Sequence, residues 1–272
     1  MSILSWAATL GSTLLLQGCS TPSEKFINTA TELGYNLEEV DGTPYKHKLF
    51  ANARALENKD IDNLHVYLDG DGTPWKFNTQ ITDDPTPRNP LILQLMKLDP
   101  APAILLGRPC YYGLRLSQLC NKSLWTSNRY SHSVVNSMRT ALERWMTARS
   151  VKHLTLIGFS GGGTLATLLA SDLDKLKTVV TIAANLDVKA WSDLHGYQPP
   201  TGSLNPMTDA HLPPHVRQIH LAGLEDDNVP AGIVETFSLS QQNALYLPQA
   251  QNDHSCCWEM IWPDILKTYL DQ

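Results

Sequence analysis

Two hydrophobic rhythms alternate along the chain. Seven short apolar runs, each closed by turn-forming residues, have the length and composition of buried strands. They are "HKLFANA" (47–53), "LHVYLDG" (64–70), "AILLG" (103–107), "HLTLIG" (153–158), "TVVTIAA" (178–184), "QIHLAG" (218–223) and "ALYLP" (244–248). Between many of them, apolar residues return every three to four positions, as on one face of a helix. Val134, Val135, Met138, Ala141, Leu142, Trp145 and Met146 form the clearest stripe, and Leu165, Leu168, Leu169, Leu173 and Leu176 a second. Pro263 is placed to open a last helix carrying Ile265, Leu266, Tyr269 and Leu270. Near-continuous apolar strands alternating with helices predict an α/β domain with a mostly parallel central sheet and helices on both faces. Trp75 to Arg88 and Leu186 to Pro214 break the rhythm. Rich in Pro, Asp, Asn and Gly, they predict loop insertions over the carboxyl ends of the strands, where such folds bind ligands.

Composition narrows the class. With 272 residues, 42% hydrophobic and 18% charged, the chain can bury a sizeable core as a globular protein. Its formal net charge of -6 comes without any long run of Lys or Arg, so composition gives no reason to expect nucleic acid or an anionic membrane surface as a partner. The N-terminus stands apart. "MSILSWAATLGSTLLLQGCS" carries no charge, and its apolar part, Ile3 to Leu16, is too short to span a bilayer and reads as the h-region of a secretory signal. It ends in "LQGC", which resembles the bacterial lipoprotein box. That resemblance implies a signal peptide over 1–18, lipidation of Cys19, a polar tether and N-terminal segment over 19–44, and a folded domain over 45–272. It also implies a place in the bacterial cell envelope, lipid-anchored, at the periplasmic face or the outer membrane.

An exported protein can keep disulfides. Beyond Cys19 the cysteines are Cys110, Cys120, Cys256 and Cys257, which allow three pairings. A short polar and aromatic loop separates Cys110 from Cys120, so these two can meet without distorting the backbone. Adjacent Cys256 and Cys257 could close a vicinal ring, remain thiols, or pair elsewhere. A zinc site built from them and His254 is a poor match to metal-ligand spacing, because the chain has no CxxC and its one HxxxH, His211 to His215, sits in a Pro-rich connection that reads as surface.

The stretch "LTLIGFSGGGTLATLLA" (154–170) carries the chemistry. Gly158 to Gly162, "GFSGG", fits G-x-S-x-G, with a strand pattern before it and a helical one after it, which is the context of a nucleophile elbow. A serine there is held on a strained turn clear of the sheet, and its neighbours must be glycines because strand and helix pass too closely to admit a Cβ. The new helix aims its first N–H groups at the same place. A serine hydroxyl is a poor nucleophile and needs a base oriented by an acid; for this elbow the chain order is Ser, then Asp or Glu, then His.

After Ser160 the chain offers His195, His211, His215, His220 and His254. His220 lies inside a strand pattern and reads as core; His211 and His215 sit in a Pro-rich connection and read as surface. "HLAGLEDDNVP" (220–230) puts acids directly after a strand, and "QNDHSCCW" (251–258) puts His254 after the next. With these elements the chain resembles the α/β-hydrolase superfamily over about 45 to 270. In that superfamily a late strand is often followed by G-x-x-D-x-x-V-P, which falls here on Gly223, Asp226, Val229 and Pro230. The resemblance implies Ser160 as nucleophile, Asp226 as orienting acid with Glu225 and Asp227 as alternatives, and His254 as base.

The oxyanion needs donors too. One is expected from the backbone N–H of Gly161. The resemblance supplies the other from the loop after an early strand, often His-Gly-x-Gly, which falls on "YLDGDGTPW" (67–75) with Asp69 in the His place and Gly70 and Gly72 fitting. By that matching the second donor is the N–H of Asp71. An acidic loop beside an oxyanion requires its carboxylates to point away or be paired, and Arg108 or Arg129 could pair them. A simple D-G turn is the plainer reading of the same residues. "NLDVKAW" (185–191) and "GSLNP" (202–206) resemble stretches of bacterial lipoproteins of this superfamily; the sequence assigns them no role. Trp75, Trp125, Trp191 and Trp258 are candidates either for a pocket or for the core.

The expected function is a membrane-tethered serine hydrolase, a carboxylesterase or lipase acting on a small-molecule or lipid acyl ester, with a thioesterase or peptidase on the same three residues as an alternative. This chemistry requires no metal or organic cofactor. The contrasting expectation is a binding or assembly lipoprotein that keeps the scaffold without the chemistry.

Overall fold

The computed structural model describes residues 20–77 and 79–270. Cys19 and the 1–18 leader therefore lie outside the described residues. Eight strands form one sheet in the order β1 (Asn36–Asp41), β2 (Lys46–Ala51), β6 (Ala103–Leu106), β3 (Asp60–Leu68), β7 (Ser150–Phe159), β8 (Leu176–Ile182), β9 (Arg217–Gly223), β10 (Ala244–Gln249). From β6 to β10 every neighbour is parallel; β1 and β2 are the antiparallel end. A separate two-strand ribbon, β4 (Trp75–Lys76) and β5 (Gln80–Ile81), stands within the first loop insertion.

The central strands are buried on both faces, as continuous apolar runs require: Leu64 to Leu68 of β3 and Leu154 to Gly158 of β7 are all inaccessible. Helix α4 (His132–Thr147) packs on β7 and on α5 (Gly161–Leu169), while α3 (Leu91–Leu98) packs on β3, β6 and α9 (Trp258–Ile265). Further helices are α2 (Ala53–Glu57) between β2 and β3, α6 (Val188–His195) and α7 (Pro206–Asp209) in the second insertion, and α8 (Ala231–Ser240) against β9 and β10.

The structure departs from the sequence pattern at four places. The second helical stripe stops short: α5 ends at Leu169, Leu173 is extended, and Leu176 already opens β8. The segment read as a tether is folded from Thr21 onward. Helix α1 (Pro22–Glu32) starts with a capping box between Thr21 and Glu24 and buries Phe26 and Ala30, with the Phe26 ring 5.6 Å from Phe50 and 4.6 Å from Tyr112. Strand β1 was hidden because "NLEEVD" is an edge strand with no buried residue, so it carries no apolar run. Finally, α9 begins at Trp258 and contains Pro263, which therefore lies inside the helix rather than opening it; the chain continues through a π-turn at Leu266–Leu270.

Candidate active site

Ser160 sits where β7 stops and α5 starts, with φ 52° and ψ -124°, a backbone state costly for any residue with a side chain. The flanking sequence makes that turn possible. A Cβ on Gly162 would run into the carbonyls of Leu68 and Asp69, and one on Gly158 into the backbone of Gly162. No residue but glycine fits at either place. The turn is pinned by the Ser160 N–H donating to the Ile182 carbonyl at 2.9 Å and by Gly163 N–H donating back to the Ser160 carbonyl at 2.9 Å.

The structure brings Ser160, His254 and Asp226 together. Ser160 Oγ is 3.0 Å from His254 Nε2, and His254 Nδ1 is 2.8 Å from Asp226 Oδ2. Asp226 is buried, and its other oxygen accepts the N–H groups of Asn228 (2.9 Å) and Val229 (2.8 Å), so the loop after β9 folds around its own carboxylate. Glu225 and Asp227 point to solvent. The His254 loop is shaped by Asp253, whose carboxylate accepts from the N–H groups of Ser255 and Cys256, and Phe159 lies 5.3 Å from the imidazole. His220 is buried between Thr181 and Gln218, where burial pushes its pKa down to about 3. Cys256 and Cys257 are bonded to each other, and Cys110 to Cys120. His254 is thus engaged by Ser160 and Asp226, and its neighbouring sulfurs by one another, which corrects the zinc alternative.

The loop after β3 carries two carboxyls with opposite fates. Asp69 is buried, and burial pushes its carboxyl up to about 7; the Gly70 N–H, Arg108 and the Tyr112 hydroxyl offset this only in part. Asp71 is held below the ordinary carboxylate range. Burial would raise it, but Arg108 Nη2 at 2.7 Å, Arg129 Nη1 at 2.9 Å and the Tyr130 hydroxyl outweigh that cost. Sequence reasoning offered Arg108 or Arg129 as partner; both engage the same carboxylate. Arg108 also donates from Nη2 to the Gly161 carbonyl at 3.1 Å. One buried guanidinium therefore links the two residues, Asp71 and Gly161, whose N–H groups are the candidate oxyanion donors. Neither N–H meets a protein acceptor among the described residues.

Above these groups opens a cleft of about 1100 Å³. Trp75, Phe159, Trp191 and Tyr197 give it aromatic walls, whereas Trp125 and Trp258 belong to the core. Of the two stretches without an assigned role, the first lines the cleft through Asn185, Val188 and Trp191, and the second braces it from outside. Asp187 caps α6, Asn205 bonds both Asp187 Oδ1 (2.9 Å) and the Val188 N–H (2.8 Å), and Ser203 Oγ ties the insertion to Tyr130 and Ser127. Trp191 Nε1 donates to the Asn228 carbonyl at 2.7 Å, and His195 Nε2 lies 2.8 Å from the same oxygen, so α6 braces the acid loop. Nothing local in the sequence announces this, because the partners are up to 37 residues apart.

No protein-family profile matches the chain, and no curated protein aligns with it. Solved structures do resemble it. XC6422 of Xanthomonas campestris, described as an α/β serine hydrolase without a lid, superposes with a TM-score of 0.56 at 11% identity, over 88% of this chain and 96% of its own. Est1E of Butyrivibrio proteoclasticus, solved with ferulic acid, gives 0.64 at 10% identity over 86% and 98%. A Mycobacterium tuberculosis puromycin-hydrolyzing peptidase gives 0.60 at 14% identity, over 86% of this chain and 38% of that one. Such identities speak of fold. The chain has the α/β-hydrolase fold, with its mostly parallel eight-stranded sheet.

Proposed function

We propose that the protein is a serine hydrolase that cleaves carboxylic esters through an acyl-enzyme on Ser160. The observation that carries this reading is the continuous hydrogen-bond line Ser160–His254–Asp226 at the floor of a cleft. In the first step the Ser160 hydroxyl attacks the ester carbonyl carbon while its proton passes to His254 Nε2. The negative charge gathers on the former carbonyl oxygen, between the N–H groups of Gly161 and Asp71. Collapse breaks the bond to the alcohol oxygen, which takes the proton from Nε2 and leaves. Water then repeats the sequence on the acyl-enzyme, releasing the acid and restoring the serine. Asp226 keeps the Nδ1 proton in place and balances the imidazolium that forms.

Arg108 acts as a positioning residue, setting the separation of the two donors rather than touching substrate. The ordinarily awkward acid at position 71 is harmless to an oxyanion because two arginines surround it. Aromatic and proline side chains around the cleft suit a substrate with a flat or apolar group beside the ester, and esterases are among the proteins of similar fold. Anchoring through Cys19 remains part of this reading, supported by the "LQGC" box. A fluorophosphonate probe should label the parent at Ser160 and leave Ser160→Ala unlabelled. A parent that neither reacts with the probe nor turns over any of a panel of acyl esters would rule the reading out.

A further inference from the structure

The cleft has a rim that the proposed chemistry does not use. We infer that the hairpin Trp75–Ile81 and the loop Leu114–Lys122 form a face that rests on a phospholipid bilayer, beside the mouth of the cleft. The orientation rests on the anchored-hydrolase reading; the face itself rests on surface observations.

Phe77, at the hairpin tip, is 91% exposed, more than any other large hydrophobic side chain among the described residues; Leu116 and Leu119 are 82% and 53% exposed. Scattered exposed leucines are ordinary. These are not scattered. Lys122 Nζ pairs with Asp83 Oδ1 at 2.7 Å, joining the end of one loop to the segment just after the hairpin, and Lys122 shares a groove with Trp75, Lys76 and Ile81. Asp83 also lies within the fields of Lys76 and Arg115. Around the apolar tips there are thus three cations, Lys76, Arg115 and Lys122, against one carboxylate, Asp83, which pairs with Lys122 and leaves a local excess of positive charge in a chain whose net charge is -6. The Cys110–Cys120 disulfide closes the second loop and keeps its leucines presented.

The start of the folded chain is pinned at the same place. Ser23 Oγ donates to Asp84 Oδ1 at 3.0 Å and accepts the Gly113 N–H at 2.9 Å, so it bridges the segments after the hairpin and before the leucine loop. Cys19 precedes Ser23 by four residues, at most about 14 Å of extended chain. A lipid carried there starts within that reach of the segments that flank the hairpin and the leucine loop. Trp75, 40% exposed, lines both the groove and the nucleophile cleft, which puts the cleft mouth next to this face. Apolar tips for the acyl zone, cations for lipid phosphates and an indole at the boundary are the chemistry of a bilayer interface. An acyl ester could then reach Ser160 from the membrane side.

The test uses the full chain reconstituted into phosphatidylcholine vesicles whose acyl chains carry bromine, a contact quencher of indole. Phe77→Trp and Leu116→Trp report on the face; Leu239→Trp, 80% exposed on α8 beside the edge strand β10, four strands from β3, is the control. The fluorescence added at 77 and 116 should be quenched at least about twofold more than that added at 239, as expected for side chains buried in the headgroup boundary. Turnover of a soluble short-chain ester should be unchanged in all three. Equal quenching at the three positions, or none, overturns the face. Two other readouts keep the readings apart: release of Cys19→Ser into the soluble fraction reports on the anchor, and short-ester turnover on the hydrolase.

Discussion

Among the described residues two histidines bond a buried aspartate through Nδ1, and one of them also meets a serine hydroxyl. His254 lies 2.8 Å from Asp226 Oδ2 and His65 lies 2.6 Å from Asp99 Oδ2. Both aspartates also accept backbone N–H groups, from Asn228 and Val229 in one case and from Ala101 in the other. Beyond that the pairs part. His65 is on β3 inside the sheet, and the Tyr67 hydroxyl takes up Asp99 as well, at 2.6 Å. Burial would raise the Asp99 carboxyl, but hydrogen bonds from His65, Tyr67 and the Ala101 N–H hold it below its ordinary value. His254 rides on a loop beyond β10, and its Nε2 meets Ser160 Oγ at the floor of the cleft. The pair is therefore a reusable polar unit. On the proposed reading, what the outer nitrogen faces decides whether such a pair stabilises a core or moves a proton.

The sharpest way to break the comparison is to disable each pair and read activity. Ser160→Ala and His254→Ala should each lower kcat by roughly 10⁴-fold or more, with the double variant little worse than either. Asp226→Asn should be nearly as severe, because it leaves the imidazole with the wrong tautomer. His65→Gln should leave kcat within about threefold at a temperature where the variant is folded. Comparable losses from His65→Gln and His254→Ala in ester turnover would erase the distinction.

Arg108 comes next. Arg108→Met removes the link between Asp71 and Gly161, so kcat should fall on the order of 10²-fold with KM nearly constant, the signature of a lost transition-state contact. Arg108→Lys keeps the charge but not the span, and should recover only part of kcat. A change confined to KM would mean that Arg108 shapes substrate binding instead.

The Asp99 pair is expected to show itself in stability. Asp99→Asn leaves a buried histidine without its charged partner and should lower unfolding free energy by about 3 kcal/mol in urea melts, with turnover of the folded fraction preserved. His47 and His220 supply a contrast, since they are buried without a carboxylate. Burial lowers them to about 4 and about 3, while in the unfolded chain they titrate near 6.5. Between pH 6.5 and 4 the unfolded state binds more protons, so stability should fall as pH drops through that window and be unaffected by these groups above it. Each contributes a slope of at most about 1.4 kcal/mol per pH unit, and His220→Asn should flatten the acid limb measured at pH 7, 6 and 5. The smallest effects belong to the exposed neighbours of Asp226. Glu225→Gln and Asp227→Asn should leave kcat within about twofold; a large loss from either would move the orienting acid.

Much of the fold was legible because its signals are local. Strand and helix periods are set by residues two to four apart, and those periods located all six parallel strands of the sheet and β2 beside them. The elbow was legible in part for a similar reason: a Cβ on Gly158 would collide with the backbone of Gly162, four residues on, whereas Gly162 is held to glycine by the end of β3, which only the assembled sheet brings against it. The turn at Asp226 closes on N–H groups two and three residues on, so its pattern was written in "GLEDDNVP".

What only the tertiary structure decided are the pairings between residues brought close by packing. Arg108 and Arg129 were candidates for pairing an acid of "YLDGDG", but the stretch does not say that Asp69 keeps a carboxyl raised by burial while Asp71, two residues later, is held down by both arginines. The partners lie 37 and 58 residues further along, and their choice depends on which way β6 and the 126–130 turn approach the loop. Likewise "LHVYLDG" does not say that His65 meets Asp99, nor "NLDVKAW" that Trp191 braces Asn228. The physical reason is one of range. Sterics and backbone hydrogen bonding act between near neighbours and are printed in the sequence as patterns, whereas burial and charge pairing depend on distances that exist only once the sheet has assembled.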